Sequence, residues 1–401
     1  MKFLLVPENN SLSHVAKCLA IEDGLTSQGH DVLLAVSRKS ASFLRGVGRS
    51  CAVIPDLQEN DGAAFPTVQW FSNPGKIAEC IAAEVALIKE YRPDRVLGVF
   101  RFTVKAAAAL CGIPYDSLSC GCLLPSHGEV LGFAPGEEGG DLQGEYLDLF
   151  FRYAGDRVSG VLKRLGLAGI TDVREMLQGE RTFLWDFPEF APIPHAPGVH
   201  HVGPIAWHSW PHDEGKGTGL FDSARPLAVV SFGTCINSTD AAARLVRLLA
   251  ELGYQVVLAA GGQSELIESA ANHPRVTICR FAPLHLLFPH AKLLVCHGGQ
   301  MTVFEALAHR VPVLVLPLQP EQAHNGVCLE RLGTGRRLLR PQIFRGAPRV
   351  YTEAFEAMSD DHCCALLSEF TRGIDTSKLR EAQRSLGRYD AVQTLCSHLV
   401  N

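Results

Sequence analysis

Short apolar runs, each followed by a helical stretch, recur along this chain in two successive series. The first is Lys2–Val6, Asp31–Val36, Ala52–Ile54, Arg95–Phe100 and Tyr115–Ser119; the second is Leu227–Phe232, Val256–Ala259, Val276–Cys279, Leu293–Cys296 and Val313–Leu316. Runs this short and continuously apolar are strands buried on both faces, and their alternation with helices predicts a parallel sheet covered on each side. A helix over His14–Gln28, with Val15, Cys18, Leu19 and Leu25 on one side and Gly29 at its end, joins the first two strands into a βαβ unit. An Ala-rich helix, Val104–Leu110, stops at Gly112 and Pro114. Gly128–Gly144 is glycine-rich and acidic and reads as a mobile loop. Helices over residues 145–165 and 171–177 follow, and Phe183–Phe187 and His200–Val202 read as edge strands. In the second series the helices are residues 240–252, 266–271, 302–310 and 322–332, with 355–370 and 379–399 closing the chain. Pro204–Asp222 carries Pro211, Gly215, Gly217 and Gly219 and little periodicity, which marks a linker. The expectation is therefore an α/β protein of two Rossmann-like, doubly wound domains facing a central cleft: residues 1–204, a linker over 205–222, and residues 223–401, with the last helix able to pack back on the N-terminal domain.

Composition removes several classes. At 401 residues and 47% hydrophobic, each half can bury a core of its own. A net charge of −5 argues against non-specific nucleic-acid binding, which needs a basic face. The longest notable apolar run, Val311–Leu318, contains two prolines and is too short to span a bilayer. Lys2–Val6 ends at Pro7 and is not a signal peptide, so a cytoplasmic location is expected. The thirteen cysteines are odd in number and scattered; neither Cys120–Gly121–Cys122 nor Cys363–Cys364 has zinc or redox spacing, and they read as small buried thiols.

The chemistry concentrates after the strand that ends at Cys296. His297–Gly298–Gly299 leads straight into a helix through Gln300, Met301 and Thr302. Such a turn aims unpaired backbone N–H groups, backed by the positive end of the helix dipole, at one point in space, which suits a diphosphate. Glu305 follows one helical turn after Thr302 on a similar face. Past the strand at Val313–Leu316, Glu321–Gln322 offers a carboxylate–amide pair suited to sugar hydroxyls. The order reads phosphate, ribose, sugar. Against this stands an ordinary strand–Gly-Gly–helix turn, a solvated Glu305, and a Glu321 that merely caps the next helix.

With these residues in register, the chain resembles the nucleotide-sugar-dependent glycosyltransferases of the two-Rossmann-domain (GT-B) type, and among them the UDP- and dTDP-glycosyltransferase family that includes plant, antibiotic and macrolide enzymes. The family's donor signature, W-A-P, then H-x-G-x-x-[ST]-x-x-E, then [DE]-Q-x-x-N, appears as Phe281–Ala282–Pro283, then His297, Gly299, Thr302 and Glu305, then Glu321, Gln322 and Asn325. The resemblance implies that Phe281 and Ala282 meet the base, that His297, Gly299, Gln300, Met301 and Thr302 surround the diphosphate, that Glu305 holds the ribose, and that Glu321 and Gln322 hold the sugar. Phe232–Gly233–Thr234 resembles the family's glycine turn at the first strand of the second domain, adding Gly233 and Thr234 to the donor contacts. Val202–Gly203–Pro204 resembles the strand into the linker, and Ser13–His14–Val15 with Gly29–His30–Asp31–Val32 resembles the opening pattern. That last match makes His14 the candidate general base.

The implied activity is inverting transfer of a sugar from a UDP- or dTDP-sugar to a hydroxyl of a small-molecule acceptor. The resemblance implies no metal and no other cofactor, and the sequence agrees on the metal, since no Asp-x-Asp occurs anywhere in the chain. A homodimer is compatible with this reading. Three departures stand against it. The loop Pro7–Ser13 lacks the family's glycines, with Ser13 where Gly is usual. Val99 stands where related chains carry an acid that polarises the histidine, and neither Asp94 nor Asp116 can be set against His14 from sequence. Leu284 and Met301 replace the usual Gln and Asn or Gly. Two other readings follow: a nucleotide-sugar-binding homologue or partner protein with weak or no turnover, and a sugar-nucleotide epimerase of the same architecture.

Overall fold

The structure, a computed structural model, describes residues 1–58, 67–207, 220–221, 224–233, 239–262, 273–346 and 350–401. The chain forms two compact units, one of Met1–Gly128, Gly144–Trp210 and Tyr389–Asn401, the other of Glu129–Gln143 and Pro211–Arg388.

The first unit holds a seven-stranded sheet of β1 (Lys2–Pro7), β2 (Asp31–Val36), β3 (Ala52–Val53), β4 (Arg95–Val99), β5 (Tyr115–Ser119), β6 (Arg181–Leu184) and β7 (Val199–His201), in the order β3-β2-β1-β4-β5-β6-β7. The second holds β8 (Leu227–Ser231), β9 (Gln255–Ala259), β10 (Val276–Cys279), β11 (Ala291–Cys296), β12 (Val313–Val315) and β13 (Gly335–Arg337), in the order β10-β9-β8-β11-β12-β13. Every pairing in both sheets is parallel. The central strands are buried on both faces: Phe3 to Val6 of β1 and Leu293 to Cys296 of β11 have no exposed surface. In each sheet the strand order reverses beside the first strand, between β1 and β4 and between β8 and β11. Connections there leave in opposite directions and open a crevice beyond the strands' carboxyl ends.

Several elements differ from the reading of the sequence. β6 is interior, paired with both β5 and β7, so of the two expected edge strands only β7 is one. β13 was not expected because Gly335–Arg336–Arg337 has no apolar signal; its arginines are held by Glu330, Glu137 and Glu369. The helix Pro74–Tyr91 was also missed, although Asn73 caps it and Pro74 opens it, because Glu84 interrupts its buried stripe of Ile77, Cys80, Ile81 and Ile88. The closing helices are each two, Val350–Glu356 with Asp360–Arg372, and Thr376–Leu386 with Ala391–Val400. Ala391–Val400 belongs to the first unit and packs on the helix Leu12–Ser27, where a β-carbon on Gly24 would lie 2.7 Å from Val392 Cγ1. The expected helix over 266–271 and most of the linker over 205–222 lie outside the described residues.

The glycine-rich segment after Gly128, expected to be a mobile loop of the first domain, is instead packed in the second unit. Arg337 reaches both the Gly132 carbonyl at 2.8 Å and Glu137 at 2.9 Å, and Gln143 accepts from Phe344 N at 2.7 Å.

Candidate active site

His14 and His297 fall at the two points where strand order reverses. In the second unit, β11 ends at Cys296, and His297 sits between the ends of β11 and β8 with its Nδ1 3.4 Å from the Ser231 carbonyl. A carbonyl only accepts, so Nδ1 carries the hydrogen of the neutral ring. Two glycines make room for that ring: a β-carbon on Gly233 would lie 3.1 Å from its Cε1, and one on Gly299 2.5 Å from its Nε2. Burial pushes the imidazole down to about 4, with the Ser231 bond acting the other way. Gly298 adopts φ 91°, and a β-carbon there would lie 2.7 Å from the Gln322 carbonyl oxygen. The turn is thus pressed against the helix Pro320–Leu332.

The next helix begins at Gln300, two residues earlier than expected, and ends at Ala308. Gly299 is its N-cap, and no side chain caps it. The first-turn N–H groups of Gln300, Met301 and Thr302 are therefore the natural anion donors. Gln300 is buried, while Met301, Thr302 and Glu305 are half-buried. Asn325 ties the neighbouring parts together, its Nδ2 donating to Gly298 O at 2.8 Å and to Glu321 Oε1 at 2.7 Å. Gln322 accepts from Leu318 N at 3.0 Å, so its carbonyl end is committed to the main chain. Phe281 is 60% exposed and is not core; its ring lies over Gly262, 3.0 Å from where a β-carbon would stand, and Ala282 beside it is half-buried. Thr234 lies outside the described residues.

In the first unit, His14 is the third residue of the helix Leu12–Ser27, whose N-terminus Ser11 caps. The ring is 8% exposed, stacked on Phe100 at 5.0 Å and tilted against Trp185 at 5.6 Å. Its Nδ1 lies 3.3 Å from the Glu8 carbonyl, so the hydrogen sits on Nδ1 and Nε2 keeps its lone pair. Burial, then the charge of Lys17, pushes this imidazole down to about 3. Lys17, one turn along, is itself buried with its ammonium 4.4 Å from the Trp185 ring. Asp94 accepts from Lys2 N, and Asp116 is paired with Arg95 and Arg181, so neither carboxylate found from sequence serves His14. Val99 closes β4 fully buried. The loop after β1 is held without glycines: Asn9 donates to Pro7 O at 3.1 Å and accepts from Ser37 N at 3.0 Å. Phe100, Trp185 and Lys17 were missed in the sequence, where each reads as an ordinary apolar or surface residue.

Residues 170–343 match the model of the UDP-glucoronosyl and UDP-glucosyl transferase family. A PGL/p-HBAD biosynthesis rhamnosyltransferase of Mycobacterium bovis (strain BCG / Pasteur 1173P2) is 25% identical over 349 residues, 83% of this chain and 76% of that one. A demethyllactenocin mycarosyltransferase of Streptomyces fradiae is 32% identical over 164 residues, 40% of this chain and 34% of that one. Among solved structures, the spinosyn rhamnosyltransferase SpnG complexed with thymidine diphosphate superposes with a TM-score of 0.70 over 100% of both chains; at 18% identity that likeness is one of fold. With two parallel α/β units and these likenesses, the fold is GT-B and the protein is a glycosyltransferase. Over these residues the chain resembles the nucleotide-sugar-dependent UDP- and dTDP-glycosyltransferases. Among the described residues, no helix is long and apolar enough to cross a membrane.

Proposed function

We propose that this enzyme moves a deoxyhexose from a dTDP-sugar to a hydroxyl of a small-molecule acceptor in the cytoplasm, with inversion and without a metal ion. In this reading the second unit grips the donor and the first supplies the base. Nε2 of His14 takes the acceptor's hydroxyl proton as that oxygen bonds to the anomeric carbon; the bond from carbon to the diphosphate oxygen breaks on the opposite face. The amides of residues 300–302 and His297 meet the charge that builds on the leaving diphosphate, the task a metal ion performs elsewhere. The absence of any Asp-x-Asp supports the metal-free reading. The relatives named for rhamnosyl and mycarosyl transfer, and the SpnG structure with thymidine diphosphate, support the deoxyhexose and the dTDP carrier.

The observation that carries the proposal is the turn at residues 297–299, where an imidazole set between two glycines stands at an uncapped helix N-terminus pinned by Asn325. A thermal-shift panel tests it. dTDP at a hundred times its dissociation constant should add roughly 2.7 kcal/mol of stability, and UDP at the same concentration should add less. No stabilisation by either nucleotide defeats the donor assignment, and a larger effect of UDP defeats the choice of dTDP.

A second expectation concerns pH. An unshifted imidazole, half-protonated near 6.5, would lose about twenty-five-fold of its basic form between pH 7 and pH 5. His14 lies at about 3 and stays unprotonated over that range. Donor turnover, measured as kcat/KM for dTDP release, should therefore stay nearly flat from pH 7 to pH 5. An acid limb centred near 6.5 would contradict the buried geometry.

The buried His14 without a carboxylate partner favours one rival, a homologue that binds nucleotide sugar without turnover. The same turnover assay separates the two.

A further inference from the structure

Behind His14 lies a group of buried charges that the reaction as described does not use. Arg101 is fully buried and reaches Glu84 at 2.8 Å, Asp56 at 3.0 Å, the Pro55 carbonyl at 3.0 Å and Glu8 at 3.5 Å. Glu8 and Glu84 are as buried as the guanidinium, and Thr103 donates to Glu84 at 2.7 Å. Three carboxyl groups around one guanidinium in a dry interior cannot all be charged cheaply. Burial, then the charge of Asp56, holds the Glu8 carboxyl well above the usual carboxylate range. Burial raises the Glu84 carboxyl as well, with Arg101 acting the other way.

The main chain of Glu8 is the link to the active site. Its N–H donates to Val99 O at 2.9 Å, which fastens the loop to the end of β4, and its carbonyl is the acceptor for His14 Nδ1. The next residue along β4's exit, Phe100, turns with φ 56°, a conformation costly for a bulky side chain. That turn puts the Phe100 ring under His14 while the following side chain, Arg101, enters the buried cluster. Three consecutive residues therefore build the surroundings of one imidazole, at the position where related chains are expected to carry an acid.

We propose that Arg101 is a positioning residue: by holding Glu84, Asp56 and Glu8 it fixes the Glu8 carbonyl, which locks His14 with its hydrogen on Nδ1 and its lone pair on Nε2. A main-chain carbonyl thereby does the orienting that a carboxylate does in other histidine bases, without adding negative charge beside the ring. The proposal rests on His14 as base for its catalytic meaning, but not for the state of the ring.

The test uses nitrogen-15 NMR of the full-length protein labelled at histidine, with His14→Ala to assign the signals. In the wild type, His14 Nδ1 should be of the protonated type and Nε2 of the bare type. Arg101→Met should bring the two nitrogens toward a common averaged shift and lower kcat for dTDP release from dTDP-rhamnose at least tenfold, with KM within twofold. Arg101→Lys, which keeps the charge but not the fork, should fall between. Should Arg101→Met not fold, Asn9→Ala decides, because it loosens the same loop without unpairing a buried charge. Retention of either the wild-type tautomer or the wild-type kcat in the deciding variant overturns the proposal. Unchanged turnover in His14→Ala would instead sink the base assignment alone, leaving the tautomer result standing.

Discussion

His14→Ala should lower kcat for sugar transfer and for background donor hydrolysis by about two to four orders of magnitude, the usual worth of a positioned general base. The nucleotide's dissociation constant should not change, because the donor residues belong to the other unit. The imidazole is well placed for the role. Its Nδ1 is taken by the Glu8 carbonyl, so Nε2 is the acceptor, and Phe100 and Trp185 hold the ring plane. Its low proton affinity cuts in two directions. The ring is always in its basic form at neutral pH, yet it draws a proton less strongly than an unshifted imidazole. The base therefore gains strength only as the transition state forms, when the leaving diphosphate's negative charge and the acceptor's partial bond favour transfer. Thermal unfolding of the variant supplies the control. Removing a ring packed on two aromatics should cost stability without moving the nucleotide-induced shift. Turnover that survives the substitution, alongside intact nucleotide binding, would mean that another group takes the proton; no turnover in the wild type would favour the binding homologue.

Much of the fold and of the candidate donor turn was legible because the signals are local. The strands of both sheets are apolar runs whose burial follows from their composition, and His297, Gly298, Gly299 and Asn325 are brought together by one strand–turn–helix and the helix after it. What was not legible depends on partners far apart in the chain. Arg101 meets Glu84, Asp56 and Glu8 at separations of 17, 45 and 93 residues, and nothing in Val99–Phe100–Arg101 announces that the arginine turns inward. The segment after Gly128 looked mobile because it is rich in glycine and acid. Its order comes from Arg337, about two hundred residues later, bonded to Gly132 and Glu137. β13 was invisible for the same reason: a strand of glycine and arginine is stabilised by ion pairs and sheet edges, not by apolar pattern. The missing acid at Val99 was legible, but what orients His14 in its place was not. The loop after β1 does the work through its main chain, and a backbone carbonyl leaves no mark in a sequence.

Gly298→Ala should both destabilise the protein, by roughly 2–4 kcal/mol, and weaken dTDP binding at least tenfold. Two separate costs combine. The residue adopts φ 91°, which an L side chain tolerates poorly. The added methyl would also stand 2.7 Å from the Gln322 carbonyl oxygen and 2.8 Å from Val315 Cγ1. The first obstacle is main chain, so relief requires shifting the helix Pro320–Leu332 or the turn itself, an overpacking cost of about 1–3 kcal/mol. Either movement pulls Gly298 O from Asn325 and re-aims the amides of residues 300–302. Anion binding at a helix end depends on those amides converging, so affinity should fall with the fold's stability rather than independently of it. Gly299→Ala separates the two effects. There the three atoms nearest the methyl would all belong to the His297 ring, the closest Nε2 at 2.5 Å, and that side chain can swing aside. Its stability should stay within about 1 kcal/mol of the wild type, since a side chain and not the backbone gives way. Its dTDP affinity should nonetheless drop, because the displaced imidazole loses the Ser231 carbonyl that holds it at the proposed diphosphate site. Denaturant unfolding and nucleotide titration of both variants check the pair. Equal nucleotide affinity in wild type and Gly299→Ala would remove His297 from the donor site, and a Gly298→Ala protein as stable as the wild type would show that the turn is not pressed against its neighbouring helix.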